Sequence, residues 1–546
     1  MLANDRSVDL GELNGVKPSA HSHNEALSQD RDRDELLRLG KKQVLRRNFG
    51  FMSILGFSCT VLITWEGSLI LFLNGLSNGG PAGLIYGYIL VWVGNFAVFA
   101  SLSELVSMAP TSGGQYHWVA MLAPPSISKF MSYMTGWLTV SGWVAAVAST
   151  CYLTAGLIQG LATMTHSSYV AENWHSTLLF WAVLLFCIII NTVVSSLLPK
   201  FEGLILILHI VGFFGVLIPL VKLGAKGDAH DVFTTFSNEG NFSSMGLSFL
   251  VGLSGNAFAF LGLDGAYHMS EEIQRPSVIV PRSIMMTLVI NGSMGFGMIT
   301  AVLFSLGDLE AALNSPTGFP FMEIFLQATK SVPGATVMAC IIAVLALCAD
   351  VGFLASASRM MWSFARDRGL PGWKILSRVD RRTSVPVWAI TTITVISVAL
   401  SLILIGSVLA FNIIVSLTVA CLYLSYLIAI ALILYRRCTG AVSYASDSPT
   451  MLANTVGTRL LWGPWHFRGA LGIIINICAC LYLTLLLFFS FWPVYVPITP
   501  ADMNYTSVLM VGVIVFSIFY YQLFARKHYK GPIIETDVLS GAAQNS

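Results

Sequence analysis

Two carboxylates lie inside long apolar stretches of the chain, where an ionised side chain is costly to keep. Glu66 stands in the run Thr64-Trp65-Glu66-Gly67, and Asp264 closes the run Phe260-Leu261-Gly262-Leu263-Asp264. A charge at the centre of a membrane helix costs about 2.5–3.5 kcal/mol on insertion scales. Both acids therefore favour a polar cavity in which a carboxylate binds an ammonium group or carries a proton.

A glycine beside each acid predicts that the surrounding helix is interrupted. Interrupted membrane helices expose backbone groups to a cavity near the bilayer midplane, at matching positions of two repeats. Glycine is also a common packing residue in membrane helices, which is the alternative for either glycine taken alone. The residues predicted to line the cavity are Thr64, Trp65, Glu66, Gly67, Phe260, Gly262, Asp264 and Tyr267.

Three ionisable residues have two interpretations each. Glu66 either contacts an amine or a proton, with Trp65 offering an aromatic face to a cation, or is a structural acid hydrogen-bonded across the bundle. Asp264 either lines the cavity or caps the half-helix that starts after Gly265, and the two roles can coexist. His209, midway along an apolar run, either relays protons, because imidazole titrates near neutral pH, or is a packing residue.

A second set of charged residues lies at the predicted helix ends. Glu104 ends the second helix, Glu271 and Glu272 end the sixth, and Arg359 lies on the eighth. Since these acids stand close to basic residues, we predict salt bridges of a gate or a helix interface rather than ligands. Asp350, on the same helix as Arg359, is predicted to join that network.

The elements that must position these residues are membrane-spanning helices. Of 546 residues, 55% are hydrophobic and 11% charged, whereas soluble domains carry about 25% charged residues. Crossing the hydrocarbon takes about 20 apolar residues, and helices satisfy their own backbone groups there. The sequence therefore predicts an all-α polytopic membrane protein with interrupted helices 1 and 6. Its twelve predicted spans are 50–76, 83–107, 129–163, 176–198, 203–222, 246–272, 284–306, 334–365, 386–406, 409–435, 470–492 and 506–525.

The distribution of basic residues predicts the orientation. With an even number of spans, both termini lie on one side, and all Lys and Arg residues except Lys222, Lys226, Lys330 and Arg359 fall on that side or in its tails. By the positive-inside rule both termini are cytoplasmic. Residues 1–47, polar and mixed in charge, are predicted to form a disordered tail, and 526–546 form a second cytoplasmic tail.

Several classes of function are disfavoured by what the sequence lacks. It has no zinc-ligand spacing, no glycine-rich phosphate loop followed by Lys and no credible catalytic triad. We therefore expect neither an enzyme nor a bound cofactor or metal. Its basic residues occur in short clusters between apolar runs, so nucleic acid is not an expected partner, whereas the lipid bilayer is.

Several short motifs follow one another along the chain in a fixed order. They are Ser103–Leu105, Ala109–Tyr116, Phe260–Asp264, Ser270–Glu272, Val280–Arg282, Ser358–Pro371 and Val385–Pro386. Together they resemble the amino acid–polyamine–organocation superfamily, and most closely its fungal amino acid/choline/GABA permease branch. The resemblance implies repeats 48–222 and 246–435 of five helices each, inverted relative to one another, and two peripheral helices over 470–525. It also implies secondary active uptake of an amino acid, GABA, choline or a related amine, by alternating access driven by protons.

Departures from the family pattern refine the expected substrate. Trp65 and Glu66 replace small residues of the family's first break, which favours a cation over a plain α-amino acid, and Arg275 stands where the family usually has Asn. His209 falls near the position where proton-coupled members have Lys. The resemblance leaves a non-transporting nutrient sensor as the alternative function. We expect the plasma membrane as the location, with the vacuolar membrane as the alternative.

Overall fold

A computed structural model describes residues 31–406, 408–444, 452–499 and 503–535, and nearly all of its regular structure is helical. The predicted tail segments 1–30 and 536–546 lie outside the described residues. The first twelve helices are α1 (31–38), α2 (Phe51–Val61), α3 (Thr64–Ile70), α4 (Phe72–Ser77), α5 (Gly80–Met108), α6 (Gln115–Leu122), α7 (Pro125–Thr165), α8 (Asn173–Thr192), α9 (Leu198–Leu223), α10 (Ala229–Thr234), α11 (Met245–Ala259) and α12 (Gly265–His268).

The second half of the chain continues the helical pattern. Its helices are α13 (Pro276–Phe304), α14 (Leu309–Leu313), α15 (Pro320–Thr329), α16 (Val332–Arg366), α17 (Trp373–Leu376), α18 (Val387–Ser401), α19 (Ile403–Gly406), α20 (Val408–Cys438), α21 (Gly469–Phe489), α22 (Thr506–Tyr520) and α23 (Arg526–His528). Short 3₁₀ turns cover Ser195–Leu197 and Ser270–Glu272, and a π-helical turn covers Tyr521–Ala525. A parallel pair of strands, β1 (Val442–Ser443) and β2 (Leu460–Leu461), completes the list.

Eleven helices among the described residues are long and apolar enough to cross a membrane, with α2 and α3 counted together. The chain is therefore an integral, multi-pass membrane protein. The predicted span 246–272 differs from the other eleven, because α11 ends at Ala259 after 15 residues. That length is below the roughly 20 residues that a continuous span requires.

The first span is interrupted, but two residues earlier than the motif suggested. α2 ends at Val61 and α3 begins at Thr64, so Glu66 lies in the first turn of α3. The side-chain amide of Asn291 on α13 donates to the carbonyl of Cys59 at 2.9 Å and to that of Leu62. Asn291 thus supplies the hydrogen bonds that the broken helix lacks, and this fixes the position of the break.

The second interruption covers residues 260–264, between α11 and α12. Gly262 has a φ of +93°, and a Cβ there would meet the Phe353 ring of α16 and the side chain of Val61. A residue with a side chain would be strained at this φ. Glycine therefore allows this break to approach both the first break and α16.

Residues 31–47, predicted to be disordered, are ordered in the structure. Leu36 and Leu45 are buried, and the buried Asp32 carboxylate accepts hydrogen bonds from the Arg275 backbone N–H at 3.0 and 3.1 Å. Composition alone suggested disorder because the partners of this segment lie far away in the sequence. The backbone N–H of Glu535 also donates to the Gly40 carbonyl at 2.9 Å. Both described chain ends therefore lie together, at what we call the termini end of the bundle.

The variant Gly262→Ala tests the packing of the second break. The positive φ and the lack of space should destabilise the fold by about 1–3 kcal/mol and lower the midpoint of thermal unfolding of the purified protein. Gly246→Ala, also on the α11 segment but with open space around its Cβ position, is the control and should leave the midpoint unchanged. Equal midpoints for the two variants would contradict the packing described.

Candidate binding cavity

A small cavity of about 20 Å³ lies between the two interrupted helices, with room for about one water molecule. We call it the central cavity. Its residues from the two breaks and from the facing helices α7 and α16 are Val61, Ile63, Gly67, Thr150, Thr154, Ala259, Leu261, Ala346, Asp350 and Phe353. The junction of the two breaks is thus partly hollow.

A larger cavity of about 490 Å³, the outer vestibule, lies toward the end opposite the termini end. It is bordered there by loop residues such as Glu172, Thr317 and Asn504. Four apolar residues line both cavities, and we call them the apolar ring: Ile70, Leu71, Leu153 and Phe258. The apolar ring therefore lies on the border that the central cavity shares with the vestibule.

Asp350 is the acid that the structure places in the central cavity. It is buried, and no described donor meets hydrogen-bond geometry at either carboxylate oxygen, although the Thr150 and Thr154 hydroxyls lie close enough to interact. The prediction that Asp350 joins the network of Arg359 is wrong. The two residues are separated by about two and a half helical turns, which places their side chains on opposite faces of α16.

Glu66 lies in a polar cluster on the other side of the first break. His209 Nδ1 lies 2.7 Å from Glu66 Oε1, and His209 Nε2 lies 3.3 Å from Asn291 Oδ1. Because the Asn291 nitrogen donates to backbone carbonyls, its oxygen must accept, so His209 Nε2 carries a hydrogen. The contact of 2.7 Å between His209 Nδ1 and Glu66 Oε1 is a hydrogen bond, for which either side chain can supply the proton. The pair can therefore consist of a His209 imidazolium and a Glu66 carboxylate, or of a neutral His209 imidazole and a Glu66 carboxylic acid. The number of protons in the pair is the same in both cases.

The structure separates the remaining predicted cavity residues. Of the run Thr64–Gly67, only Gly67 lines the central cavity. Trp65 packs on His209 and Phe213 of α9, with ring centroids 6.0 and 5.9 Å away. Thr64, Phe260 and Tyr267 contact other parts of the bundle. The Thr64 hydroxyl donates to the Leu62 carbonyl at 3.2 Å. The ring of Phe260 packs on Tyr88 and that of Tyr267 on Trp118, each with a centroid distance of 5.3 Å.

Asp264 connects the second break to neighbouring helices. Its Oδ2 accepts hydrogen bonds from Gln115 Nε2 at 2.9 Å and from Trp143 Nε1 at 3.1 Å, and lies 3.4 Å from His268 Nε2. Asp264 precedes α12, but its side chain makes no capping hydrogen bond to that helix. It therefore fixes α12 against α6 and α7.

Four buried ion pairs close the termini end. The predicted residues Glu104, Glu271 and Glu272 bind Arg437 at 2.6 Å, Arg366 at 2.7 Å and Arg359 at 2.8 Å, respectively. The fourth pair, Lys41 with Asp367 at 2.5 Å, joins the N-terminal segment to the end of α16. Burial would raise the pKa of Asp367, but the charges of Lys41 and Arg366 outweigh it and hold that pKa below its usual range.

A sequence model of the family described as amino acid permease matches residues 49–516. The chain belongs to the amino acid permease family. It is similar to the "Choline transporter" of Saccharomyces cerevisiae, 32% identical over 488 residues that cover 89% of this chain and 83% of that protein. It is also similar to "Amino-acid permease BAT1" of Arabidopsis thaliana, 30% identical over 91% of this chain and 95% of that protein. "Amino-acid permease 2" of Neurospora crassa is 27% identical over 91% of this chain and 88% of its own length. The family predicted from the motifs is thus confirmed.

Sequence reasoning about this member of the permease family missed several residues. Asn291 could have been noticed because it places an amide within an apolar span. Asp367 could have been noticed because it stands between two arginines in a motif that the sequence analysis used. Glu202 on α9 gave a similar signal to Asp350. It too is buried, with no described donor in hydrogen-bond geometry, although the Thr60 hydroxyl lies close enough to interact. Unlike Asp350, Glu202 lines neither cavity.

His117 makes the termini end sensitive to acid. It lies in α6, between the spans α5 and α7, where its buried Nε2 is 3.3 Å from the Asn454 carbonyl. Burial, and then the charge of Lys41, lower the pKa of His117 to about 4. The folded protein therefore keeps this imidazole neutral at pH values where the unfolded chain protonates it.

Acidification should destabilise the protein partly through His117. Between the usual His pKa near 6.5 and about 4, the unfolded state gains a proton that the folded state does not bind, which costs about 3 kcal/mol in total. We expect the variant His117→Gln, measured by thermal unfolding at pH 7.5 and pH 5, to lose less stability at the lower pH than the wild type. The exposed His230 is the control position, and His230→Gln should behave as wild type. An identical pH response in His117→Gln would contradict this role.

Proposed function

We propose that the protein is a secondary active transporter that moves a small amine or amino acid across a membrane by alternating access. The observation that carries the proposal is the one-sided closure of the central cavity. Four ion pairs lie between the central cavity and the termini end, where a cavity of about 480 Å³ reaches the Glu272–Arg359 pair, whereas the apolar ring lies between the central cavity and the vestibule. The names of the relatives, amino-acid permease and choline transporter, support the substrate class.

Alternating access requires that the apolar ring and the ion pairs at the termini end open in turn, one while the other is closed. In the described arrangement solute reaches the vestibule and waits at the apolar ring, where Phe258 and Leu153 border both cavities. Release at the termini end requires the ion pairs to part together. Separating one partner of a buried pair costs about 3–5 kcal/mol if its charge stays buried, so the charges must enter water as the end opens.

We propose protons as the coupling ions, with Glu66 and His209 as the pair that carries them. The pair is neutral overall while it holds both protons, and it becomes negative when one leaves. A buried negative pair is unfavourable in a low dielectric. Its protonation state therefore changes the stability of the first break, which Asn291 connects to His209.

The membrane arrangement proposed for this mechanism is that of the superfamily. Residues 48–222 and 246–435 form the two inverted five-helix repeats, and 470–525 add two peripheral helices, which gives twelve spans when the interrupted α11–α12 segment is counted. The breaks in the first and sixth of these segments support the layout. The termini end, which collects the basic residues, faces the cytoplasm. The plasma membrane is the proposed location, and the vacuolar membrane is the alternative.

A non-transporting nutrient sensor is the second candidate. The observation that favours it is the contact of both chain ends with one gate residue. Lys41 and the Ile533 backbone N–H both bind Asp367 Oδ1, at 2.5 and 2.9 Å. Opening of the termini end would therefore move both ends of the chain, where a signalling partner would detect the change.

Uptake measurements test the transporter proposal. Cells that lack their own permeases would express the chain and receive labelled GABA, choline, putrescine and a neutral amino acid at pH 5 and pH 7.5. We expect stronger uptake at the lower pH. Replacing Glu66 by Gln or His209 by Gln should remove the pH dependence and lower uptake by about tenfold, the value of a lost hydrogen bond to a charged group.

Two comparisons make the result specific. His230→Gln, a substitution on the exposed surface, should retain the wild-type rate and pH dependence. Absence of uptake for every compound, with the protein present at the cell surface, would overturn the transporter proposal in favour of the sensor. If Glu66→Gln and His209→Gln both keep the wild-type pH dependence of uptake, the protein is a transporter but this pair does not carry the coupled protons.

A further inference from the structure

We propose that Asp350 is the counter-ion of a positively charged substrate, so that the central cavity selects an ammonium-bearing solute without a carboxylate. The inference rests on the proposed function for this cavity. Asp350 is the only ionisable residue among the described residues that line the central cavity. The rest of the lining is apolar apart from the hydroxyls of Thr150 and Thr154.

The isolation of Asp350 is the first argument. A buried ionised carboxylate is costly unless a positive group or several donors compensate it. No described basic residue pairs with Asp350, and the hydroxyls of Thr150 and Thr154 are the described donors that lie close to it, although neither meets hydrogen-bond geometry. The carboxylate therefore needs either a proton or a mobile cation. The cavity beside it holds about one water molecule in this arrangement, so a cation of the size of choline binds there only when the cavity widens.

The two acids at the helix interruptions are already engaged elsewhere. Glu66 has one oxygen bonded to His209, and Asp264 has one oxygen bonded to Gln115 and Trp143. Neither acid lines the central cavity. The proton-binding pair and the cation-binding acid are therefore separate groups.

The composition of the path favours a cation without a carboxylate. Glu172 is the only Asp, Glu, Lys, Arg or His among the described residues that line the outer vestibule, and it is also an acid. Two carboxylates along one path raise the local concentration of cations. No described Lys, Arg or His lines either cavity to bind a substrate carboxylate, whereas the aromatic residues Phe258 and Phe353 line the central cavity, and aromatic rings attract an ammonium.

A pair of ligands that differ only in charge tests the assignment. Choline and its neutral isostere 3,3-dimethylbutan-1-ol would be compared for binding to the purified full-length protein in nanodiscs, and putrescine and GABA would be tested beside them. We expect the wild type to bind choline about 10- to 100-fold more tightly than the isostere, as expected for an interaction with a charged group. Asp350→Asn should abolish that difference, and Asp350→Glu should restore part of it.

Glu202→Gln is the matched control, because Glu202 is an equally buried acid that lines neither cavity. It should retain the preference for choline, and monodisperse elution of each variant verifies that it is folded. The proposal is overturned if Asp350→Asn keeps the preference, if Glu202→Gln loses it equally, or if the wild type binds no cation of the panel.

Uptake of the same compounds separates this inference from the proposed function. Binding of choline that depends on Asp350 without any uptake would overturn the transporter and keep the counter-ion. Equal uptake of a solute by the wild type and by Asp350→Asn would keep the transporter and overturn the counter-ion.

Discussion

Backbone groups released by the two helix interruptions must find partners inside the protein, since lipid offers none. At the first break the Asn291 amide binds the carbonyls of the broken helix. At the second, the Tyr423 hydroxyl donates to the Ala257 carbonyl at 3.3 Å. These contacts draw α13 and α20 against the breaks and concentrate polar groups near the centre of an otherwise apolar bundle. The position of the cavity follows from this requirement.

The short helix α3 connects the two sets of acids. Glu66 faces His209 on one side of α3, while the adjacent Gly67 lines the central cavity beside Ala259 on the other. The proposed proton-binding pair and the proposed solute cavity therefore contact neighbouring residues of one helix of seven residues. Any displacement of α3 alters both environments at once. Such a shared element is what coupling between two ligands requires, because each ligand must change the energy of the same conformational change.

Most spans were predictable from the sequence because they depend on local composition, and about twenty apolar residues predict a membrane helix wherever they occur. The partners of Glu271 and Glu272 were not predictable, because Arg366 and Arg359 lie 95 and 87 residues away in the chain. The exact first break was not predictable, since Asn291 sets it from a distant helix. Asp350 was misassigned because spacing along α16 was considered without its helical phase. The order of residues 31–47 was missed for a related reason, as the partner of Asp32 is the backbone of Arg275.

The carboxylate of Asp367 has a consequence for how the molecule is made. Its oxygens accept hydrogen bonds from the Lys41 ammonium, from the Tyr116 hydroxyl at 2.8 Å and from the backbone N–H of Ile533. Ile533 follows Asp367 by 166 residues in the chain. A ribosome delivers Lys41 and Tyr116 before Asp367, and Ile533 long afterwards. The nascent chain therefore inserts most of its helices while this acid still lacks one of its partners. Closure of the termini end is completed only when the last described segment has left the ribosome, which makes it a late step of biosynthesis.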